Sequence, residues 1–130
     1  MSAQDVDVVR STLEQFISTG QPPLELMSED LEVYDHDIMD GSDYRGHEGF
    51  VAWMTDWGSA WSSFEMEPEE YIDAGDGCVV VVVRMRATGA SSGLQIDRQD
   101  ASVNRVRGGK LVRIDYYNNR ADALADAGLS

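Results

Sequence analysis

The sequence predicts an α+β fold in which a curved antiparallel sheet wraps around N-terminal helices and leaves a central cavity. Two observations favour it: helical periodicity dominates the first half of the chain, and four strand-like segments follow one another in the second half. Strands joined by short turns pair antiparallel, and helices packed on one side of such a sheet make a layered α+β domain. With 130 residues and no internal repeat, the chain is predicted to be a single domain over residues 1–130.

The first helix is predicted from apolar residues that recur at spacings of three and four between Val6 and Ile17. Gly20 and the Pro22–Pro23 pair end it, because neither residue type continues a helix. A short second helix is predicted over residues 24–27.

A third helix is predicted from Glu48 to Phe64, where five aromatic residues fall on one stripe: Phe50, Trp53, Trp57, Trp61 and Phe64. Such a stripe is typical of core packing. Indole N–H groups need hydrogen-bond partners, however, and indoles often line pockets for flat apolar ligands. We therefore expect Trp53 and Trp57 to form part of a pocket wall.

The strands are predicted from alternation of apolar and polar residues, bounded by turn residues. Residues 31–37 form a short strand that ends in an acidic loop at residues 40–43. Four further strands are predicted over residues 65–73, 77–88, 94–107 and 110–117. Asp76-Gly77 and Gly108-Gly109 are hairpin signals, and Arg120 to Leu129 completes the chain as a short helix or cap.

Composition argues against several classes of partner. The formal net charge is −14, so nucleic acid and anionic membrane surfaces are not expected partners. The single cysteine, Cys78, excludes an internal disulfide. The sequence shows neither an apolar run of spanning length nor a signal-peptide pattern, and the expected location is cytoplasmic.

Several segments together resemble the SnoaL-like group of the nuclear transport factor 2-like superfamily, over nearly the whole chain. They are the strand Leu31–Asp37, the segment Tyr44–Gly49, the tryptophan helix, the run Glu67–Asp76, and the ending Gly109–Tyr117 with Arg120–Leu124. The resemblance implies a cone-shaped α+β barrel with a hydrophobic pocket open at one end, and a homodimer formed through the outer sheet face. This fold hosts isomerases, cyclases, epoxide hydrolases and non-catalytic modules, so it does not fix the function.

Asp35 is the first catalytic candidate that the resemblance implies. The run Val33–His36 is similar to the strand that carries the general-base aspartate in ketosteroid isomerase-like enzymes. A carboxylate that faces an apolar cavity becomes a better base near neutral pH. The oxyanion-hole tyrosine of those enzymes falls on Phe16, which has no hydroxyl, and the second oxyanion donor falls near Ser102. Ketosteroid isomerisation itself is therefore not expected.

Alternation leaves open which face of the first strand lines the cavity. If Leu31 and Val33 point inward, Asp35 enters the cavity; otherwise Tyr34 and His36 do. The alternative interpretation of Asp35 is a solvated acidic residue at the end of the strand. The alternative interpretation of His36 is a surface ion pair.

Asp100 is the second catalytic candidate, because alternation groups it with Ser102 and Asn104 on one strand face. If that face is inward, Asp100 becomes an acid or base and Asn104 a hydrogen-bond donor. The alternative is a cross-strand ion pair of Asp100 with Arg84 or Arg86. The resemblance implies Tyr117 as a further pocket residue.

Neither a metal nor a cofactor is expected. The aspartates between residues 35 and 43 would suit calcium, but Gly41 is one place late for an EF-hand loop and no glutamate closes it.

The predicted partner is a small hydrophobic molecule. Three functions stay open: a cofactor-independent isomerase, cyclase or epoxide hydrolase-like enzyme; a non-catalytic ligand-binding protein; and a protein-interaction or dimerisation domain.

Overall fold

The computed structural model describes residues 2–36 and 43–129. Their elements are α1 Ser2–Thr19, β1 Met27–Asp35, β2 Asp43–Arg45, α2 Gly46–Ser59, β3 Trp61–Gly75, β4 Cys78–Gly89, β5 Gln95–Arg107, β6 Lys110–Tyr117 and α3 Arg120–Asp126. A single 3-10 turn, Leu24–Leu26, stands where the short second helix was predicted. Within the described ranges, no helix is long and apolar enough to cross a membrane.

The six strands form one curved sheet in the order β2-β1-β6-β5-β4-β3. Strands β3 to β6 pair antiparallel as consecutive hairpins, whereas β1 lies parallel to β6 and antiparallel to β2. Register shifts along β3 mark irregularities of the kind that bend and twist a strand. The predicted α+β cone is confirmed, and the barrel that the resemblance implies is not closed, because the sheet keeps two edges at β2 and β3.

Both faces of the sheet are packed, which explains the run of five valines in β4. Val79, Val81 and Val83 point to the concave face, where they pack with residues of α1 and α2. Val80 and Val82 point to the convex face, where α3 covers them through Ala123. A strand that is buried on both faces gains from an apolar residue at every position, so its sequence does not alternate.

The boundary between α2 and β3 differs from the prediction. The helix ends at Ser59, and Trp61 and Phe64 belong to β3 rather than to the helix. The aromatic stripe is therefore divided between two elements, although Trp57 still packs edge-on against Trp61 and Phe64, at ring distances of 6.0 and 4.9 Å. Aromatic residues suit both helices and strands, so spacing alone extended the helix by one turn too many.

Two strand predictions also change. The first strand begins at Met27, four residues before its predicted start, and the short strand β2 was not predicted. The predicted acidic loop at residues 40–43 lies outside the described residues except for Asp43, which begins β2.

Candidate functional site

A cavity of about 90 Å³ lies between α1, α2 and the concave face of the sheet. Most of its wall is apolar, and side chains from both helices and from strands β3 to β6 contribute to it. Five of the residues predicted as pocket residues line it: Phe16, Trp53, Trp57, Ser102 and Asn104. Two other liners, Thr12 of α1 and Tyr116 of β6, carry hydroxyl groups and were not predicted.

The structure places Asp35 on the concave side of β1. Leu31 and Val33 are fully buried in the concave core, and alternation brings Asp35 to the same face, where it is 6% exposed. Trp53 Nε1 donates a hydrogen bond of 2.9 Å to Asp35 Oδ2. Asp35 therefore contacts the indole ring that forms the cavity wall, although it is not itself among the described residues that line the cavity.

Asp100 also points inward, and it is fully buried. The Tyr116 hydroxyl donates to Asp100 Oδ2, and Arg98 Nε donates to Oδ1 at 2.7 Å. Burial, and then the neighbouring Asp100 carboxylate, raise the pKa of Tyr116 well above its ordinary value. The phenol therefore keeps its proton at neutral pH.

The ion pair predicted as the alternative for Asp100 is wrong in its partners. Arg84 and Arg86 lie on the convex face, opposite to Asp100. There Arg84 pairs with Glu69 at 3.6 Å, and Arg86 pairs with Glu67 at 3.9 Å. Arg98, two residues along the same strand face, is the cation that pairs with Asp100.

Tyr116, rather than Tyr117, reaches the cavity. Its backbone lies between Asp35 on β1 and Ser102 on β5, so the three residues form one row across the concave face. Tyr116 is 7% exposed and packs edge-on against Trp53, with ring centres 5.6 Å apart. The charged residues Arg113 and Asp115 alternate with Ile114 and Tyr116 in the sequence, and this signal would have identified the buried tyrosine.

Three predicted ligand-binding residues, Tyr34, His36 and Tyr117, are not brought to the cavity, because they lie on the convex face. The Tyr34 hydroxyl donates to Glu32. The His36 ring stacks on Tyr117 at 4.4 Å, and its Nε2 lies 2.8 Å from Asp115 Oδ1.

The convex face carries a buried ionic cluster around Asp115, which is fully buried. Arg113 Nε and Arg105 Nη1 donate to its Oδ2 at 2.8 and 3.0 Å. Burial alone would raise the pKa of Asp115, but the hydrogen bonds from Arg113 and His36 outweigh it, so the pKa is lowered. Asp126 lies nearby and pairs with Arg105 at 3.3 Å.

This cluster offers three possible metal ligands, since ligand atoms of His36, Asp115 and Asp126 lie within 4.8 Å of one another. Two guanidinium groups already neutralise the carboxylates. A divalent ion would therefore have to displace the guanidinium groups or bind against their electrostatic repulsion. Of the aspartates weighed as calcium ligands, Asp37 and Asp40 lie outside the described residues. Asp35 and His36 point to opposite faces of the sheet, which separates them.

The lowered pKa of Asp115 predicts a stability that depends on pH. Its carboxylate stabilises the fold above the pKa of the unfolded chain, 3.8, and this contribution is lost as pH falls through the lower folded-state pKa. Asp115→Asn is expected to lose about 1.5–3 kcal/mol of unfolding free energy at neutral pH, and the difference from wild type is expected to shrink in acid. Urea unfolding between about pH 7 and pH 3 measures this. A difference that is independent of pH would contradict it.

Residues 4–114 match the SnoaL-like domain family. No match was found among curated proteins. Solved structures with the same fold include a nuclear transport factor 2-like protein of unknown function from Burkholderia pseudomallei, at 21% identity, 94% coverage of this chain, 95% of that chain and a TM-score of 0.77.

Two other solved structures are similar over most of the chain. A putative SnoaL-like polyketide cyclase from Jannaschia sp. shares 19% identity, with 99% of this chain and 94% of that chain covered and a TM-score of 0.74. A protein from Catenulispora acidiphila with a ketosteroid isomerase-like fold, in complex with trimethylamine, shares 17% identity, with coverages of 92% and 93% and a TM-score of 0.68. At these identities the likeness shows the fold alone. The family match covers most of the sequence, and the chain therefore belongs to the SnoaL-like domain family.

Proposed function

We propose that this protein binds a small hydrophobic molecule in the cavity between its two long helices and the concave face of the sheet. The observation that carries the proposal is a largely apolar cavity with a few convergent polar groups, which is the usual composition of a small-molecule site. Its volume, about 90 Å³, is of the same order as the roughly 150 Å³ of an apolar cavity that accepts benzene. A ligand about the size of one ring is therefore the natural occupant.

The solvent side of the cavity is built from side chains that adapt easily. The partly exposed liners come from α1, α2 and β3: Leu13, Phe16, Met54, Trp57 and Met66. Methionine has an unbranched, flexible side chain, so movement of Met54 and Met66 would enlarge the site for a longer molecule. The similar proteins described as a polyketide cyclase and as a trimethylamine complex support a small-molecule role for this fold.

Cofactor-independent acid–base catalysis on the bound molecule is the second candidate function. Each of the two buried carboxylates on the concave face contacts a ring of the cavity wall: Asp35 accepts from Trp53, and Asp100 accepts from Tyr116. A general base must come within hydrogen-bond reach of the proton that it removes. Asp100 is bound by Arg98 and Tyr116. Access of a substrate to Asp35 depends on a shift of the Trp53 indole that donates to it.

The proposal is tested by thermal unfolding with benzene, cyclohexanone and indole as probes. A ligand that binds only the folded state raises stability by about 2.7 kcal/mol at a hundredfold excess over its Kd. We expect at least one probe to raise the Tm of the wild type. Ser102→Leu, which adds bulk inside the cavity, should reduce that shift, whereas Gln99→Leu on the opposite face of β5 should preserve it.

Two results would count against ligand binding in this cavity. One is a Tm that no probe changes. The other is a shift that is equal in the wild type, Ser102→Leu and Gln99→Leu, because the probe would then bind elsewhere.

A further inference from the structure

We infer that three buried polar residues of the cavity wall, Thr12, Tyr116 and Asn104, offer a ligand hydrogen-bond acceptors, so that the cavity selects a small apolar molecule carrying a hydroxyl or amine donor over one carrying only a carbonyl. This inference rests on the proposed function and specifies its ligand class. It follows from the hydrogen bonds that the polar groups of the cavity wall already donate.

Tyr116 and Thr12 both present oxygen lone pairs rather than protons. The Tyr116 hydroxyl donates its single proton to Asp100, and its raised pKa keeps that proton in place. Thr12 Oγ1 donates to the carbonyl oxygen of Val8 at 2.8 Å, one turn earlier in α1. Each hydroxyl retains acceptor capacity after its proton is committed.

Asn104 contributes a third acceptor. Its Nδ2 donates to Ser102 Oγ at 2.9 Å and lies 3.4 Å from the carbonyl oxygens of Val79 and Ser102. A flipped amide would place Oδ1 against those two carbonyl oxygens, so the hydrogen-bond network fixes its orientation. The polar atom that remains available on this 5%-exposed side chain is the acceptor Oδ1.

The donors that remain lie in more exposed side chains. The N–H of the buried Trp53 is committed to Asp35. Ser102 and Trp57 are half-buried liners for which no donated hydrogen bond is found among the described residues. A ligand carbonyl can accept a proton from them, and Ser102 lies beside Tyr116 and Asn104. An alcohol can accept from Ser102 and also donate to a lone pair of Thr12, Tyr116 or Asn104, whereas a ketone can only accept.

A matched set of three six-membered rings tests the inference: cyclohexanol as donor, cyclohexanone as acceptor only, and methylcyclohexane as neither. Dissociation constants are measured by titration calorimetry or ligand-observed NMR on the wild type, Tyr116→Phe, Asn104→Leu and Tyr34→Phe. We expect the wild type to bind cyclohexanol roughly tenfold more tightly than cyclohexanone, the effect of about one additional net hydrogen bond. Tyr116→Phe and Asn104→Leu should each reduce that ratio, and Tyr34→Phe, on the convex face, should keep it.

The possible results separate this inference from the function on which it rests. If the rings bind but the ketone is equal to or tighter than the alcohol, the inference is overturned and the ligand site stands. A preference that survives in both Tyr116→Phe and Asn104→Leu also overturns it, and having two variants keeps the test valid if one of them fails to fold. If none of the rings binds the wild type, the proposed function fails and this inference fails with it.

Discussion

Trp53→Ala is expected to lower the free energy of unfolding by about 3–5 kcal/mol, the usual cost of truncating a buried tryptophan. Trp53 is 4% exposed and packs edge-on against Phe50 and Tyr116, at ring distances of 5.8 and 5.6 Å. The substitution also removes the indole N–H that Asp35 Oδ2 accepts. Loss of a partner for a buried acceptor adds to the cost of the cavity that the missing ring leaves.

Urea unfolding measures this effect, and Trp57→Ala on the same helix is the matched control. Trp57 is half-buried at the solvent side of the cavity, so its truncation should cost clearly less. Equal losses for the two variants would contradict the position of Trp53 in the core.

Asp100→Ala is expected to destabilise the fold by about 3–5 kcal/mol, because it breaks a buried ion pair and leaves one partner without its counter-charge. Arg98 Nε lies 2.7 Å from Asp100 Oδ1, and the side chain of Asp100 is fully buried. The Tyr116 hydroxyl loses its acceptor in the same substitution. Arg98 itself is 29% exposed, which allows water to solvate its guanidinium in part and keeps the cost at the lower end of that range.

Asp97→Ala, on the same strand, is the control for this prediction. Asp97 is 61% exposed and contacts Arg84 and Arg86 at 3.5 and 3.8 Å, so its loss should cost at most about 1 kcal/mol. Combining Asp100→Leu with Arg98→Met removes both charges, and this pair should be more stable than Asp100→Ala alone. If Asp100→Ala and Asp97→Ala have the same effect in urea unfolding, the buried pair does not contribute as described.

Local sequence patterns were sufficient for most of the fold. The apolar spacing between Val6 and Ile17 predicted α1, and alternation with turn residues predicted the four hairpin-connected strands β3 to β6. These signals work because helix and strand periodicities are properties of neighbouring residues. They failed at residues 60–64, where aromatic residues favour either element and packing against Trp57 is compatible with both.

The candidate site was predicted only in part, because alternation divides a strand into two faces without saying which one is covered. The packing of α1 and α2 against Leu31 and Val33 decides that Asp35 points inward and His36 outward. The same decision on β6 selects Tyr116 for the cavity and leaves Tyr117 stacked on His36.

The sequence by itself determined the class of fold, the order of the long helices and of strands β1 and β3 to β6, the family and a set of candidate polar residues. Only the tertiary structure decided which of them meet: Asp35 with Trp53, and Asp100 with Tyr116 and Arg98. These contacts join residues that are distant in the chain or depend on which sheet face the helices cover. Such pairings are set by long-range packing and strand register, and a single sequence records neither of them directly.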